Sequence, residues 1–338
     1  MASAARGAVS DPTGPGCFEL ACPAPFDWDW MLGFLGRRLI AGVEHIEDAT
    51  YRRVLRLPQG SGWAIGWLSA RWLPGRQAIA VELDAGLLPV AGLALAALRR
   101  VFDLDARPLV INAVLGELAA DAPGLRVPGT VDGFELAVRA VLGQQVTVKA
   151  AHTLAGRLAA RFGHPLASES SVAPPGAPRA PGPAGPRGAP GAPATADPPA
   201  LAIPACPGIA FPDAVTMAAL TPDDLRECGL IRTRAAAILA IAHAVAHDGL
   251  VLEAGAPVEP AMRHLRSLRG VGDWTAQYVA MRALACPDAF PAADLVLMRV
   301  LDARTPAQAA ARAQVWRPWR SYSVMHLWRR AALAASAS

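Results

Sequence analysis

The segment Leu265-Arg266-Ser267-Leu268-Arg269-Gly270-Val271-Gly272-Asp273-Trp274-Thr275-Ala276 sets two glycines one residue apart between stretches of helical periodicity. The second stretch runs on through Tyr278, Val279 and Met281. Glycine reaches backbone conformations that side chains forbid, so this spacing supports a tight reversal with exposed amides. The helix that follows adds N–H groups without intrahelical partners. A loop of this kind can seat a phosphate. Taken alone it can equally be a turn between two packed helices. Downstream, Phe290-Pro291-Ala292-Ala293-Asp294 brings a carboxylate to the head of an expected helix from Leu295 to Leu301. Such an aspartate can cap that helix or stabilise positive charge that develops in a reacting molecule.

The elements that must position these residues are marked along the chain. Asp132 with Glu135 opens a helix carrying Phe134, Val138, Val141, Leu142 and Gln145. Thr221-Pro222-Asp223-Asp224 and Thr305-Pro306-Ala307-Gln308 both have the capping-box pattern, with proline at the first helical position. Upstream, Tyr51 to Leu57, Gly62 to Arg71 and Arg76 to Asp84 carry β-branched and aromatic residues between turn signals, which predicts a small antiparallel meander. Helical stretches from about Trp28 to Ile40 and Pro89 to Phe102 flank it, giving an α+β unit up to roughly residue 110. From Ser171 to Ala200 ten prolines and five glycines in thirty residues predict a disordered insert. The expected division is a loose tail over 1–16, an α+β domain over 17–110 and a helical region over 111–338, interrupted by the disordered insert at 167–205.

Composition narrows the class without naming it. The 338 residues carry a net charge of +4 with a pI near 9.0, which favours a polyanionic partner. The five cysteines (Cys17, Cys22, Cys206, Cys228, Cys286) are scattered and never spaced C-x-x-C, so a disulfide framework, a structural zinc and a four-cysteine iron–sulfur cluster are unsupported. The apolar run from Gly86 to Leu98 contains Pro89 and falls short of the roughly 20 residues that span a bilayer. The first sixteen residues lack the apolar core of a signal peptide. A cytoplasmic protein is expected, associated with the nucleoid if it binds DNA.

The hairpin block is similar to the helix-hairpin-helix of base-excision DNA glycosylases, and Asp294 falls where that superfamily keeps an essential aspartate. Further segments resemble the DNA-3-methyladenine glycosylase II family. They are Phe26-Asp27-Trp28-Asp29-Trp30-Met31-Leu32-Gly33-Phe34-Leu35, Val101-Phe102-Asp103-Leu104, Arg126-Val127-Pro128-Gly129, and Phe134-Glu135 with Val138-Arg139-Ala140-Val141-Leu142-Gly143-Gln144. Trp316-Arg317-Pro318-Trp319-Arg320-Ser321-Tyr322 and His326-Leu327-Trp328 extend the likeness to the C-terminal end. It covers nearly everything from residue 17 onward except the insert. The fold implied is an N-terminal antiparallel β-sheet domain with helices, followed by an all-α helix-hairpin-helix bundle.

The resemblance implies a monofunctional glycosylase that flips alkylated bases such as 3-methyladenine and 7-methylguanine out of duplex DNA and hydrolyses their N-glycosidic bond. It assigns catalysis to Asp294, which would stabilise an oxocarbenium-like sugar; the family often has a second acid where this chain has Ala293. Trp274, Tyr278 and Trp328 would line the lesion pocket, their electron-rich faces attracting a cationic base. Trp274 also occupies the position where glycosylases that nick the backbone carry a Schiff-base lysine. Gly270, Val271, Gly272 and Thr275 would meet DNA at the hairpin, and Val127 would be the wedge that fills the gap, where leucine is common. Arg126, Lys149 and Arg320 are candidates for phosphate contact. A monovalent cation, sodium or potassium, is expected on the main-chain carbonyls of Arg266, Leu268 and Val271, with no cofactor needed for the chemistry. The expected partner is alkylated double-stranded DNA, bound by a monomer. Two alternatives stand beside this one: a non-catalytic helix-hairpin-helix DNA-binding protein, and an oxidised-guanine glycosylase with lyase activity.

Overall fold

The structure, a computed structural model, describes residues 16–144, 147–166 and 208–336. The expected tail, apart from Gly16, the expected insert and Gln145 lie outside the described residues.

The N-terminal part is built on a five-stranded antiparallel sheet of order β1-β5-β4-β3-β2, comprising β1 (Cys17–Ala21), β2 (Glu44–Glu47), β3 (Thr50–Gln59), β4 (Gly62–Leu73) and β5 (Ala78–Leu83). Strands β3 to β5 are the expected meander. On β4 the buried residues Ala64, Gly66, Leu68 and Ala70 alternate with more exposed ones, the period of a strand with one face on a core. Helix α1 (Trp28–Gly36) packs its Trp28, Met31, Leu32, Phe34 and Leu35 inward and is capped by Asp27, which accepts the Trp30 N–H. The helix stops four residues short of the expected Ile40 because the Ile40 N–H is taken by the Glu44 carboxylate at 3.0 Å, which turns the chain into β2. The stretch expected as one helix from Pro89 is a short 3-10 turn (Ala85–Val90) followed by α2 (Ala91–Val101).

The remaining elements are mainly helical. They are α3 (Pro108–Leu115), α4 (Gly133–Leu142), α5 (Val148–Phe162), a two-residue strand pair β6 (His164–Pro165) and β7 (Ile209–Ala210), and then α6 (Ala214–Ala218), α7 (Pro222–Glu227) and α8 (Arg232–His247). They continue with α9 (Val258–Ser267), α10 (Asp273–Arg282), α11 (Leu295–Val300), α12 (Pro306–Arg312) and α13 (Arg320–Ser336). Helix α4 is buried along almost its whole length and packs between α8 and α10, which makes it the axis of the bundle. The Thr221 cap is a complete capping box. The Thr305 cap is not: Gln308 donates its N–H to Thr305, but its side-chain oxygen accepts from Arg304 instead of closing back on Thr305. No helix among the described residues is long and apolar enough to cross a membrane.

A buried ionic network joins the sheet to α4. Glu44 accepts from the Tyr51 hydroxyl at 2.6 Å, from Arg53 at 3.2 Å and from Arg139 at 2.6 Å, while Glu135 pairs with Arg53 at 2.9 Å and with Arg139. Burial alone would raise the Glu44 pKa, but Arg139 and Arg53 outweigh it and hold the carboxyl at about 2. Removing one member of such a set strands its partners' charge in the interior, at a cost of about 3–5 kcal/mol. The network also reaches forward: Arg139 Nη1 donates to the Arg38 carbonyl at 2.7 Å, fixing the backbone just beyond α1.

Candidate active site

Helices α9 and α10 are joined by the expected hairpin. Gly270 has φ +90°, and a Cβ there would stand 2.8 Å from the Ala237 side chain, so glycine is required twice over. Gly272 differs: its φ of −89° suits any residue, and nothing lies within 4 Å of its Cβ position. It is open space in front of the first turn of α10. Val271 is buried, and its N–H is spent on the Leu268 carbonyl at 3.1 Å. Gln144 braces the loop by donating to the Gly270 carbonyl at 3.3 Å and to Thr275 Oγ1 at 2.9 Å. The Thr275 side chain, 1% exposed, is therefore part of this brace and does not face a ligand. Arg266 and Asp273 close an ion pair across the hairpin at 2.6 Å.

The hairpin helix carries Trp274 directly to the carboxylate. Asp294 caps α11, with Oδ1 accepting the N–H groups of Val296 and Leu297, both at 3.0 Å. Its other oxygen accepts the indole N–H of Trp274 at 2.9 Å, and Trp328 Nε1 on α13 approaches Oδ1 at 3.3 Å. The sequence left capping and catalysis as alternatives for this residue. The geometry makes them compatible, because the cap fixes one oxygen and leaves the carboxylate facing the cavity.

Around Asp294 the aromatic rings form two layers. Trp274 stacks on Tyr278 with centroids 5.1 Å apart and planes 11° apart, and Phe34 stacks on Trp328 at 6.4 Å and 20°. Tyr278 and Trp328 meet at 6.3 Å and join the layers. Two guanidiniums stand among them. Arg38 lies 3.8 Å over the Phe34 ring, and Arg282 lies 5.3 Å from the Tyr278 centroid and donates to its hydroxyl. Burial opposes ionisation of the Tyr278 phenol, yet Arg282 and Arg38 outweigh it and draw its pKa below the ordinary value. Trp274 and Trp328 remain half-exposed, so the indole faces are what the cavity offers.

The cavity itself has a volume of about 830 Å³, and among its lining residues Asp294 is the one carboxyl group. His152 also lines it; burial pushes its imidazole below the ordinary value, which leaves it neutral near pH 7. Phe34, Arg38 and Arg282 were not singled out from sequence. Trp30, Phe34 and Arg38 lie at i, i+4 and i+8, a spacing that puts the first two on one helix face and carries the third on in line, and this was the available signal.

Three more expected DNA contacts are corrected. Val127 is 7% exposed and packs in the core, and its N–H is held by Asp103 Oδ2 at 3.3 Å, so it does not stand out as a wedge. Arg126, 1% exposed, turns both terminal nitrogens to carbonyls, those of Asp103 at 2.7 Å, Ala106, Pro23 and Pro25, and its remaining N–H is buried, so none of the guanidinium reaches a phosphate. Arg320 is likewise committed, in a bidentate pair with Asp288 at 2.7 and 2.9 Å. Lys149 is exposed.

Comparison with known proteins gives a consistent picture. The AlkA N-terminal domain matches residues 17–132, and the HhH-GPD superfamily base excision DNA repair protein model matches residues 138–319. The chain is 36% identical to DNA-3-methyladenine glycosylase 2 of Escherichia coli (strain K12) over 311 residues, 92% of this chain and 96% of that protein. It is 36% identical to a probable bifunctional transcriptional activator/DNA repair enzyme AlkA of Mycobacterium tuberculosis over 97% of this chain but only 58% of that protein. The 3-methyladenine DNA glycosylase structure from Archaeoglobus fulgidus has a similar fold, with a TM-score of 0.72 at 18% identity, covering 94% of this chain and 99% of that one.

Proposed function

The chain belongs to the HhH-GPD superfamily of base excision DNA repair proteins, with an AlkA-type N-terminal domain, and we propose that it hydrolyses the N-glycosidic bond of alkylated bases in duplex DNA through Asp294. The observation that carries this reading is the chemistry of the cavity lining. Hydrolysis of a glycosidic bond ordinarily uses two carboxyl groups, one to protonate the leaving group and one to support the sugar. Among the described lining residues there is one, Asp294, and the His152 imidazole elsewhere in the lining is held below its ordinary pKa by burial. The site is equipped to stabilise the oxocarbenium sugar and lacks a second carboxyl acid for the departing base. A purine alkylated at a ring nitrogen needs no such acid, because it already carries the positive charge that makes it leave as a neutral molecule. 3-Methyladenine and 7-methylguanine are such bases.

The same charge supplies recognition. Indoles attract a cation over their faces, by about 2 kcal/mol or more where the site is desolvated, and the half-exposed rings of Trp274 and Trp328 bracket the carboxylate. Flipping the base costs a few kcal/mol, which stacking on these rings offsets. At the hairpin, Gly272 leaves room for a phosphate to approach the free N–H groups of α10. The carbonyls of Arg266, Leu268 and Val271 are the ones that would hold a monovalent cation. The Arg266 carbonyl lies in the last turn of α9, where helix carbonyls lack intrahelical partners, and that of Leu268 keeps a second lone pair beside its bond to Val271. A cation there would add positive charge facing the phosphate.

Because Trp274 is no nucleophile, the product is a free base and an intact abasic strand. The test is to incubate methylated duplex DNA with the protein and resolve the strands with and without alkali. Free methylpurine with breaks only after alkali is expected. Breaks without alkali would contradict the hydrolytic step, and no released base would contradict the glycosylase itself.

A further inference from the structure

Six arginines line the cavity that ends on Asp294, and they fall into two groups. Arg38, Arg139 and Arg282 are committed: Arg38 to the Phe34 carbonyl at 3.1 Å, Arg139 to the buried glutamates, and Arg282 to the carbonyls of Pro128 at 2.6 Å and Gly129 at 3.0 Å. The guanidiniums of Arg37, just past α1, Arg299 on α11 and Arg329 on α13 make no hydrogen bond or ion pair with any described residue. Three separate elements thus bring an uncommitted guanidinium to one cavity.

These charges are unsuited to the base. A cationic methylpurine is repelled by guanidiniums, and only Asp294 among the lining residues bears negative charge. What a flipped nucleotide also carries into the cavity mouth is its backbone, with one phosphodiester on each side of the sugar that Asp294 must reach. Guanidinium forks match phosphate oxygens in charge and in geometry. We infer that Arg37, Arg299 and Arg329 grip the two phosphodiesters flanking the flipped nucleotide. This inference rests on the glycosylase reading above. The grip forms only when the nucleotide is extruded, so it favours the flipped state over undamaged duplex, in contrast to the hairpin, which holds either.

The test uses the full chain and a triple variant, Arg37→Gln, Arg299→Gln and Arg329→Gln, with a lysine triple variant as the charge-retaining control. Binding is measured over a range of salt concentrations on a duplex with one tetrahydrofuran abasic-site analogue and on the undamaged duplex. Each phosphate contact contributes about 0.9 to the slope of log affinity against log salt. The glutamine variant should therefore lose about two from that slope on the analogue duplex and bind it roughly tenfold or more weakly at low salt. Its slope on undamaged duplex should hold, and the lysine variant should restore the first slope. An unchanged slope on the analogue duplex overturns the inference, and so does an equal loss on both duplexes, which would place the arginines in a general surface field. A wild-type chain that fails to prefer the analogue removes the flipped-nucleotide reading and the grip with it.

Discussion

Trp274 Nε1 donates to Asp294 Oδ2 at 2.9 Å, so the ring that stacks on Tyr278 is also the ring that aims the carboxylate. Recognition and chemistry share one side chain, and that chain begins one residue inside the helix that follows the hairpin.

Trp274→Phe separates the two tasks, keeping a stacking ring and deleting the N–H. A hydrogen bond to a charged group is worth about 1.5–3 kcal/mol, so single-turnover release of 7-methylguanine is expected to slow by roughly ten- to a hundredfold. Binding to an abasic-analogue duplex should change far less. Equal losses in rate and binding would show that the indole acts by stacking alone.

The two hairpin glycines should respond differently. Gly270→Ala meets Ala237 at 2.8 Å with φ at +90° and is expected to lower the melting temperature and DNA affinity together. Gly272→Ala has room and an ordinary φ; its melting temperature should match the wild type while duplex affinity falls, because the methyl group occupies the approach of a phosphate. Unimpaired binding by Gly272→Ala would move the phosphate elsewhere.

Asp103 gives a signed pH dependence. Burial, only partly opposed by the bonds from Tyr322 and Val127 and by Arg126, raises its carboxyl to about 7. The unfolded chain releases this proton near pH 4, so between these values the folded state holds more protons and stability falls as pH rises. Asp103→Asn should unfold at higher urea than the wild type at pH 8, and the advantage should shrink toward pH 4. An advantage that grew on acidification would mean that the carboxylate is the favoured form in the fold.

Glu135→Ala should destabilise the chain by about 3–5 kcal/mol, because it leaves Arg53 and Arg139 sharing the Glu44 carboxylate alone, with one buried positive charge uncompensated inside the sheet–helix junction. Urea unfolding measures this directly. A loss below about 1 kcal/mol, the scale of an exposed pair, would show the network to be solvated.

What the sequence disclosed was local. The meander, the Thr221 capping box and the Gly270 reversal each depend on residues within a few positions of one another, and all three stand in the structure. Strand β1 escaped because Cys17–Ala21 is extended only by pairing with β5, some sixty residues on. Arg126 and Val127 were misplaced for the same reason: what buries Arg126 is a set of carbonyls that includes Pro23 and Pro25, about a hundred residues upstream. At the site, the hairpin, the aromatic trio and Asp294 were visible through their resemblance to a family. The second aromatic layer through Phe34 needed α1 and α13 to be brought together.

The central assignment is that Asp294 supports the sugar as the base departs, and release of free 3-methyladenine from methylated duplex DNA by the wild type and by Asp294→Asn tests it most directly. Loss of a preorganised electrostatic group typically slows catalysis by about a hundred- to a thousandfold. Asn keeps an oxygen to cap α11, so the variant should fold, bind an abasic-analogue duplex as the wild type does, and release base at least that much more slowly. Release by Asp294→Asn at the wild-type rate would leave the aspartate as a helix cap and place the chemistry elsewhere.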